Sequence, residues 1–449
     1  MIGPRARAAL SGLVVAAAAV ACARDARAQA GTAFGETSRV AALANGVSAR
    51  PGDAGSMLMN PAGLADLDEG QLLFTGHADR LDSWFARTGE PKQDRSRWFG
   101  GLGFAAATPL PGPAWVQRIK VGFALDLPAQ YVLRVHVPVR DDEPTSPVYD
   151  GRPNRMAALA AFAVKILPRL EVGAGFTMTP GLELPTQVTY VAGRDPDVNK
   201  SVEVRIDSQL DFAASGFVGL RAQPLDALAL SVVYRGAQVS RATGTQTTIA
   251  GGILATDPID FYDMWDPAEL VLGAAVTFSP SWSASVDVTR HRWGELCTGH
   301  DQCRNPPPNA PLPPLPADLQ LHDTVSVAGG VEYASKRGFA LRAGVGYEPS
   351  PLPPQTGLTN YLGADALVVA LGGGVDLRRI AKLPLMIDAH VRARIDATQS
   401  ATKDPSKLPD TDPTLPGTQI DNYGYPGFQS QAFLVQVGVT ATVFLGGHR

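Results

Sequence analysis

The chain has 449 residues, 45% of them hydrophobic and 18% charged, with 39 basic against 43 acidic side chains. That balance lacks the basic footprint of a nucleic-acid binder. Past the N-terminus there is no apolar run of the roughly 20 residues that a spanning helix needs. The length fits two or three ordinary domains or one large closed unit.

The start carries Arg5 and Arg7, an apolar stretch from Ala8 to Ala23, and the small-residue site Ala28-Gln29-Ala30. This order predicts a secretory signal peptide over residues 1–30. Ala19-Val20-Ala21-Cys22 loosely resembles a lipoprotein box but lacks the usual Leu three residues before the Cys. Cleavage after Ala30 is the expectation. It removes four basic residues and one acidic, leaving 35 basic and 42 acidic groups. The next segment, Gly31 to Asp68, is rich in Ala, Gly and Ser and does not alternate. It runs through Asn60-Pro61-Ala62, and Asn-Pro by itself is a common turn opener.

From Gln71 to Phe444 the chain reads as about fourteen two-faced strands. Less regular ones are expected around 71–79, 98–108, 156–167, 170–180 and 268–279. Clearer ones are expected at Ile119–Leu127, Leu210–Leu220, Leu228–Tyr234, Trp282–Val288, Val325–Tyr333, Phe339–Tyr347, Leu367–Leu377, Leu385–Asp396 and Phe433–Val443. In the clearest, Leu385, Ile387, Ala389, Val391, Ala393 and Ile395 share one face. Met386, Asp388, His390, Arg392, Arg394 and Asp396 share the other. A period of two over twelve residues cannot be a helix face.

Three features interrupt the pattern. Pro128 stands between Leu127 and Ala129 in the third strand, after which Tyr131, Leu133, Val135 and Val137 resume alternation. Proline removes a ladder donor, so the strand either kinks or ends there. Cys297 and Cys303 most simply form a disulfide in an oxidising compartment. His300 and Asp301 between them leave metal binding and free thiols as alternatives, although one such pair is a poor zinc signature. The proline-rich run Pro306 to Pro316 predicts a stiff extended loop.

The connections set the topology. Breaks at 168–169, 280–281, 336–337 and 379–383 are hairpin-sized, and those near 109–118 and 222–227 are modest. Those near 80–97, 128–155, 181–207, 241–267, 294–322, 350–365 and 397–430 are long. Short turns on one side and long loops on the other predict an all-β, transmembrane antiparallel β-barrel in an outer membrane. An even strand count puts both termini on one side, the periplasm. The alternative is a secreted propeller or sandwich, whose strands also alternate. In a membrane barrel the polar, glycine-rich face lines the interior and the Val/Leu face meets lipid.

Gly55-Ser56-Met57-Leu58-Met59-Asn60-Pro61-Ala62-Gly63-Leu64-Ala65 resembles the N-terminal hatch of the FadL family, outer-membrane transporters of long-chain fatty acids and aromatic hydrocarbons. Ala343–Pro353 followed by Ala364–Leu377 is similar to that family's late strand-loop-strand unit. Pro267–Gly273 running on to Trp293 is similar to its central hairpin. Two departures are Met59, where relatives often carry an aromatic, and the five residues after Phe444.

The resemblance implies a hatch over residues 31–70 inside a barrel over 71–449. Phe34, Asn60, Pro61 and Ala62 would belong to the plug, and Leu127, Pro128 and Ala129 to a side exit into the bilayer. It implies a hydrophobic small-molecule ligand, contact with outer-membrane lipid, insertion by the barrel-assembly machinery and a monomer, with no cofactor, metal or nucleic acid. Arg342, His390, Arg392 and Arg394 fall on the inward face as candidates for a ligand head group. The plainer role for them is pairing with Asp376, Asp388, Glu348 or Asp396. Nothing resembles a nucleophile–base triad or a phosphate loop, so no enzyme is expected. A FadL-like scaffold for secretion or surface assembly is the alternative function, and a non-selective porin a third.

Overall fold

The computed structural model describes residues 37–446 apart from 114, 131–141, 147–155, 184–185, 191–201, 207–208, 251–252, 296–320 and 409–421. The signal peptide, Phe34, Cys297, Cys303 and Tyr131–Val137 lie outside the described residues.

The strands form one sheet that closes on itself. In chain order they are β1 (Gln71–Arg87), β2 (Gln93–Pro109), β3 (Ile119–Pro128) and β4 (Ala157–Leu167). Four two-part strands follow. These are β5 (Leu170–Glu183, then Thr186–Tyr190), β6 (Val202–Ile206, then Gln209–Leu225), β7 (Leu228–Arg235, then Gln238–Ala250) and β8 (Ile253–Asp266, then Glu269–Ser279). The circuit ends with β9 (Trp282–His291), β10 (Thr324–Ala334), β11 (Phe339–Glu348), β12 (Ala366–Asp376), β13 (Leu385–Asp396) and β14 (Gly427–Phe444). The short strand Gln399–Thr402 adds to the edge of β14. Closure comes from β1 against β14, antiparallel from Gln71↔Phe444 to Arg87↔Phe428. Neighbours around the barrel are antiparallel and sequential, so the wall has fourteen strands.

The two faces sort as the alternation requires. On β13 the inward Asp388, His390, Arg392, Arg394 and Asp396 are buried, while Ile387, Val391 and Ile395 are exposed to the outside. Phe74, Leu102, Phe162, Leu272 and Leu341 continue the outer apolar band. At the short-turn end Phe278 stacks on Trp282, and Tyr333 packs at a tilt against Trp282 with centroids 4.9 Å apart. Such an exterior is matched to hydrocarbon and an interface, not to water.

Three expected loops hold strand instead: 181–207, which contains the second part of β5 and the first part of β6, and the two that follow. The stretch 80–97 narrows to a five-residue connection, because β1 and β2 continue to Arg87 and from Gln93. The stretch 241–267 is a hairpin made of the second half of β7 and the first half of β8. In both places the backbone pairs on while the sequence loses its apolar face (Arg80, Asp82, Arg95, Arg97; Thr243, Thr245, Thr247). Hydrophobic alternation reports the zone facing lipid and falls silent above it.

That hairpin also leaves the wall. Gly236 N still donates to Gly216 O at 2.9 Å, and then Gln238 Nε2 reaches the inward Thr177 Oγ1 of β5 at 2.8 Å. Beyond it β7 runs parallel to β5, pairing Ala242↔Leu182 and Gln246–Ala250 with Thr186–Tyr190. The hairpin therefore crosses the inner side of β6 and forms a strap over the lumen.

Residues 37–70 fill the lumen below it. Helix α1 (Ser38–Ala42) begins at the cap Thr37. A 3₁₀ turn over Ala54–Leu58 is opened by a reciprocal Asp53/Ser56 capping box. A second over Pro61–Asp66 has Asn60 as cap and Pro61 at its first position, where proline's fixed φ and missing N–H are favourable. Val40, Leu43, Val47, Met57 and Leu64 pack on the wall's Leu73, Ala105, Leu159, Ala163 and Phe217.

An outward side chain should tolerate apolar exchange but not charge. Val391→Arg is expected to cost about 2–4 kcal/mol if it lies near the bilayer midplane, read by reversible denaturant unfolding in lipid vesicles. A cost indistinguishable from Val391→Leu would contradict the assignment of faces.

Candidate ligand site inside the barrel

The wall comes closest to the internal segment where it carries glycine. A Cβ on Gly173 would lie 2.5 Å from Ala62 N, and one on Gly219 would overlap the Asn60 side chain. Asn60 Nδ2 donates to Ser48 O at 2.8 Å and to the wall at Leu220 O at 3.5 Å, while its Oδ1 accepts from Ala62 N at 3.0 Å. Asn60 and Ala62 are fully buried, and Pro61 is buried with them.

Charge does the rest of the anchoring. Arg39 Nε donates to Glu332 of β10 at 2.9 Å, and Arg342 Nε of β11 donates to the same carboxylate at 2.6 Å. Arg342 also bonds Asp388. Ser48 gives both its N–H and its hydroxyl to Asp287, at 2.9 and 2.7 Å. Arg221 Nε donates to Ala49 O at 2.8 Å. Asp53 accepts from Ser56 N and Thr37 Oγ1. Burial pushes its carboxyl above the usual carboxylate range, against the pull of Arg39 and those hydrogen bonds.

One arginine joins the anchoring to a cavity. Arg235 donates from Nε to Leu58 O at 2.9 Å and from Nη2 to Met59 O at 3.0 Å. Its Nη1 meets Glu269, which also contacts His291 Nδ1 at 3.2 Å. Arg235 and Glu269 line a cleft together with Gly236, Gln238 and Pro267. Met57, Leu58, Ala124, Ala157 and Leu159 give it an apolar floor and side. A second, smaller cavity shares Gly55, Ala124 and Asp126 with the first and runs along the inner face of β1 and β2 to His77 and His390. Apolar concavities with a few converging polar groups are the ordinary form of a small-molecule site.

The candidates named from sequence fall in three places. Arg342 lies between Glu332 and Asp388, and Arg394 between Asp396 and Glu348; Arg392 is 3.9 Å from Glu348. None of these arginines lines either cavity, whereas His390 lines the second. Leu127 points outward, and Pro128 is the last residue of β3, opposite Gly101, with Ala129 N still donating to Gly100 O at 2.8 Å. Among the described residues the pairing of β3 with β4 runs to Asp126↔Ala157. The sequence reading missed Arg235, Glu269, Asp126 and Glu332. Asp126 was visible as the charge on the inner face of a strand whose outer face is Val121, Phe123, Leu125 and Leu127. Arg235 and Glu269 were not, because their meeting depends on the register between β7 and β8.

Fold and site together define a closed fourteen-stranded barrel that holds its own N-terminal segment in the lumen. No protein-family model and no curated protein matches the sequence. Among solved structures, a FadL homologue of Pseudomonas aeruginosa superposes with a TM-score of 0.59 at 15% identity, over 94% of this chain and all of that one. The toluene transporter TodX of Pseudomonas putida superposes at 0.54 and 14%, over 92% and 99% of the two chains. The monoaromatic hydrocarbon channel CymD gives 0.50 and 14%, over 91% and 97%. At such identities the likeness is one of fold: the chain has the FadL barrel fold.

Glu332 meets Arg39 and, at 3.9 Å, Arg50 of the internal segment, and Arg342 of the wall. Removing one partner of a buried pair typically costs about 3–5 kcal/mol, so Glu332→Gln should loosen residues 37–70 while the wall persists. Limited proteolysis would read this as new cleavage between Arg39 and Asp53 with unchanged heat-modifiable mobility. A protected segment in the variant would contradict the anchoring role.

Proposed function

We propose that this chain is an outer-membrane passive transporter of hydrophobic small molecules, through a barrel plugged by residues 31–70. The observation that carries this reading is the pair of contiguous cavities lying between the wall and a pinned internal segment. A pinned segment denies water an open pore, and the apolar linings offer a dry path. The apolar exterior supports placement in the outer membrane, with both termini in the periplasm and the strap and long loops outside. The toluene transporter and the monoaromatic hydrocarbon channel with the same fold support the cargo class. Arg235 is the contact through which cargo in the first cavity would bear on the hatch. Pro128 is the last residue of β3, where a ladder donor is missing, and a side exit belongs there.

Uptake of labelled long-chain fatty acid and labelled toluene by a deletion strain, with and without this chain restored, tests the proposal. Restoration of either by several-fold supports it. Normal uptake together with a defect in displayed surface proteins would replace it with a scaffold role. Pro128→Val, with matched residues on β4, should reduce uptake. Unchanged uptake with normal assembly would remove the side exit.

A further inference from the structure

The short turns at one end of the wall carry an uneven charge. The turn over 335–338 joins β10 to β11, and a one-turn helix, α2 (Leu377–Ile380), follows β12. The two pack together: Asp376 N donates to Gly338 O at 2.7 Å, and a Cβ on Gly338 would lie 3.2 Å from Arg379 Cβ. Lys336, Arg337, Arg378, Arg379 and Lys382 therefore share one stretch of rim. Arg378 binds Asp376 through Nε at 2.9 Å and Nη2 at 3.0 Å, and Glu69 through Nη1 at 2.9 Å. Arg379 stands 3.5 Å from Asp376. Lys336, Arg337 and Lys382 are exposed, and their side chains make no ion pair or hydrogen bond among the described residues. Five cations meet two carboxylates, so three positive charges remain.

This charge runs straight into the apolar band of the exterior. Phe339 is 52% exposed and Leu341 65%, and Ile380 and Leu383 are exposed beside them. Tyr333 stands opposite Leu341, and Trp282 opposite Tyr333, so an aromatic pair borders the basic turn. Cations and aromatic rings at the end of an apolar band are the composition of a membrane–water interface. Long basic side chains there lay their stems on apolar surface and hold their charge at the head-group level. Three unpaired cations beside hydrocarbon are matched by a molecule with negative charge at its head and apolar chains behind it.

We propose that this rim binds an anionic phospholipid of the adjoining leaflet. Its phosphate accepts from Lys336, Arg337 and Lys382, and its acyl chains run over Phe339 and Leu341. A zwitterionic lipid brings its own cation into the same space and gains less. An acidic protein would meet the cations but leave the apolar residues beside them unused. The bound lipid holds the barrel at a set depth. It does so at the turn whose Arg378 ties Glu69, where the internal segment passes into β1, and lies over the ring of Phe444 at the end of β14, 3.4 Å from its centroid. The inference rests on the short turns facing a phospholipid leaflet, and transport through the lumen plays no part in it.

Native mass spectrometry of the full chain in non-ionic detergent tests this, with palmitoyl-oleoyl phosphatidylglycerol and the phosphatidylcholine of the same chains added in equal amounts. Wild type should retain phosphatidylglycerol at least about tenfold over phosphatidylcholine, since each basic residue at an anionic lipid surface contributes up to about fivefold. Lys336→Gln, Arg337→Gln and Lys382→Gln should each lower that preference by about two- to fivefold, and together they should abolish it. Raising the ionic strength should weaken it in wild type and change nothing in the triple variant. Lys336→Gln alone decides the matter if the triple variant fails to assemble. Equal retention of the two lipids by wild type, or a preference that survives in the assembled triple variant, overturns the site. Displacement of the lipid by soluble glycerol phosphate would overturn it in favour of a free phosphate, and displacement by hexaglutamate in favour of an acidic protein. Cargo uptake can fail without touching these outcomes, and they can fail without touching uptake.

Discussion

Everything in this molecule follows from the need to pair backbone groups where there is no water. An open sheet edge in hydrocarbon leaves N–H and C=O groups without partners, at several kcal/mol each. The seventeen-residue register between β1 and β14 removes that edge. Closure then fixes which residues face in. The inner face must carry the polar side chains, and those in turn need partners out of bulk water. Residues 37–70 supply them: Arg39 for Glu332, Ser48 for Asp287, and the carbonyls of Ala49, Leu58 and Met59 for Arg221 and Arg235.

The same logic explains where the lumen remains unfilled. Wall glycines such as Gly173 and Gly219 let the internal segment approach to backbone contact. On the side of β3 and β4, Met57 and Leu58 share the lining of a cavity with Gly236, Gln238 and Pro267. Buried ion pairs are poor sources of net stability, but breaking one is costly. The internal segment is held in one register by the buried Arg39–Glu332 pair and by hydrogen bonds of Ser48 to Asp287 and of Arg221 and Arg235 to its carbonyls.

The alternation from Gln71 to Phe444 was legible because lipid on one side and polar groups on the other impose a period of two. It told the strand number, the orientation of each face and the inward placing of Arg342, His390, Arg392 and Arg394. It could not tell partners. Glu332 meets Arg39 across 293 residues of chain, and no local pattern encodes that. The strap was hidden for a related reason: Gln238–Ala250 and Ile253–Asp266 pair without an apolar face, so their composition looked like loop. Asn60-Pro61 was readable as a capped turn from chemistry alone, whereas its burial against Gly219 needed the fold.

The central claim is that a pinned internal segment closes the barrel to water and ions while leaving an apolar path. Planar-bilayer conductance of the full chain tests it most directly. A closed lumen predicts little ohmic current for wild type, with conductance appearing when Glu332→Gln and Arg235→Ala together release the segment. Stable, porin-like conductance in the wild-type protein would contradict it.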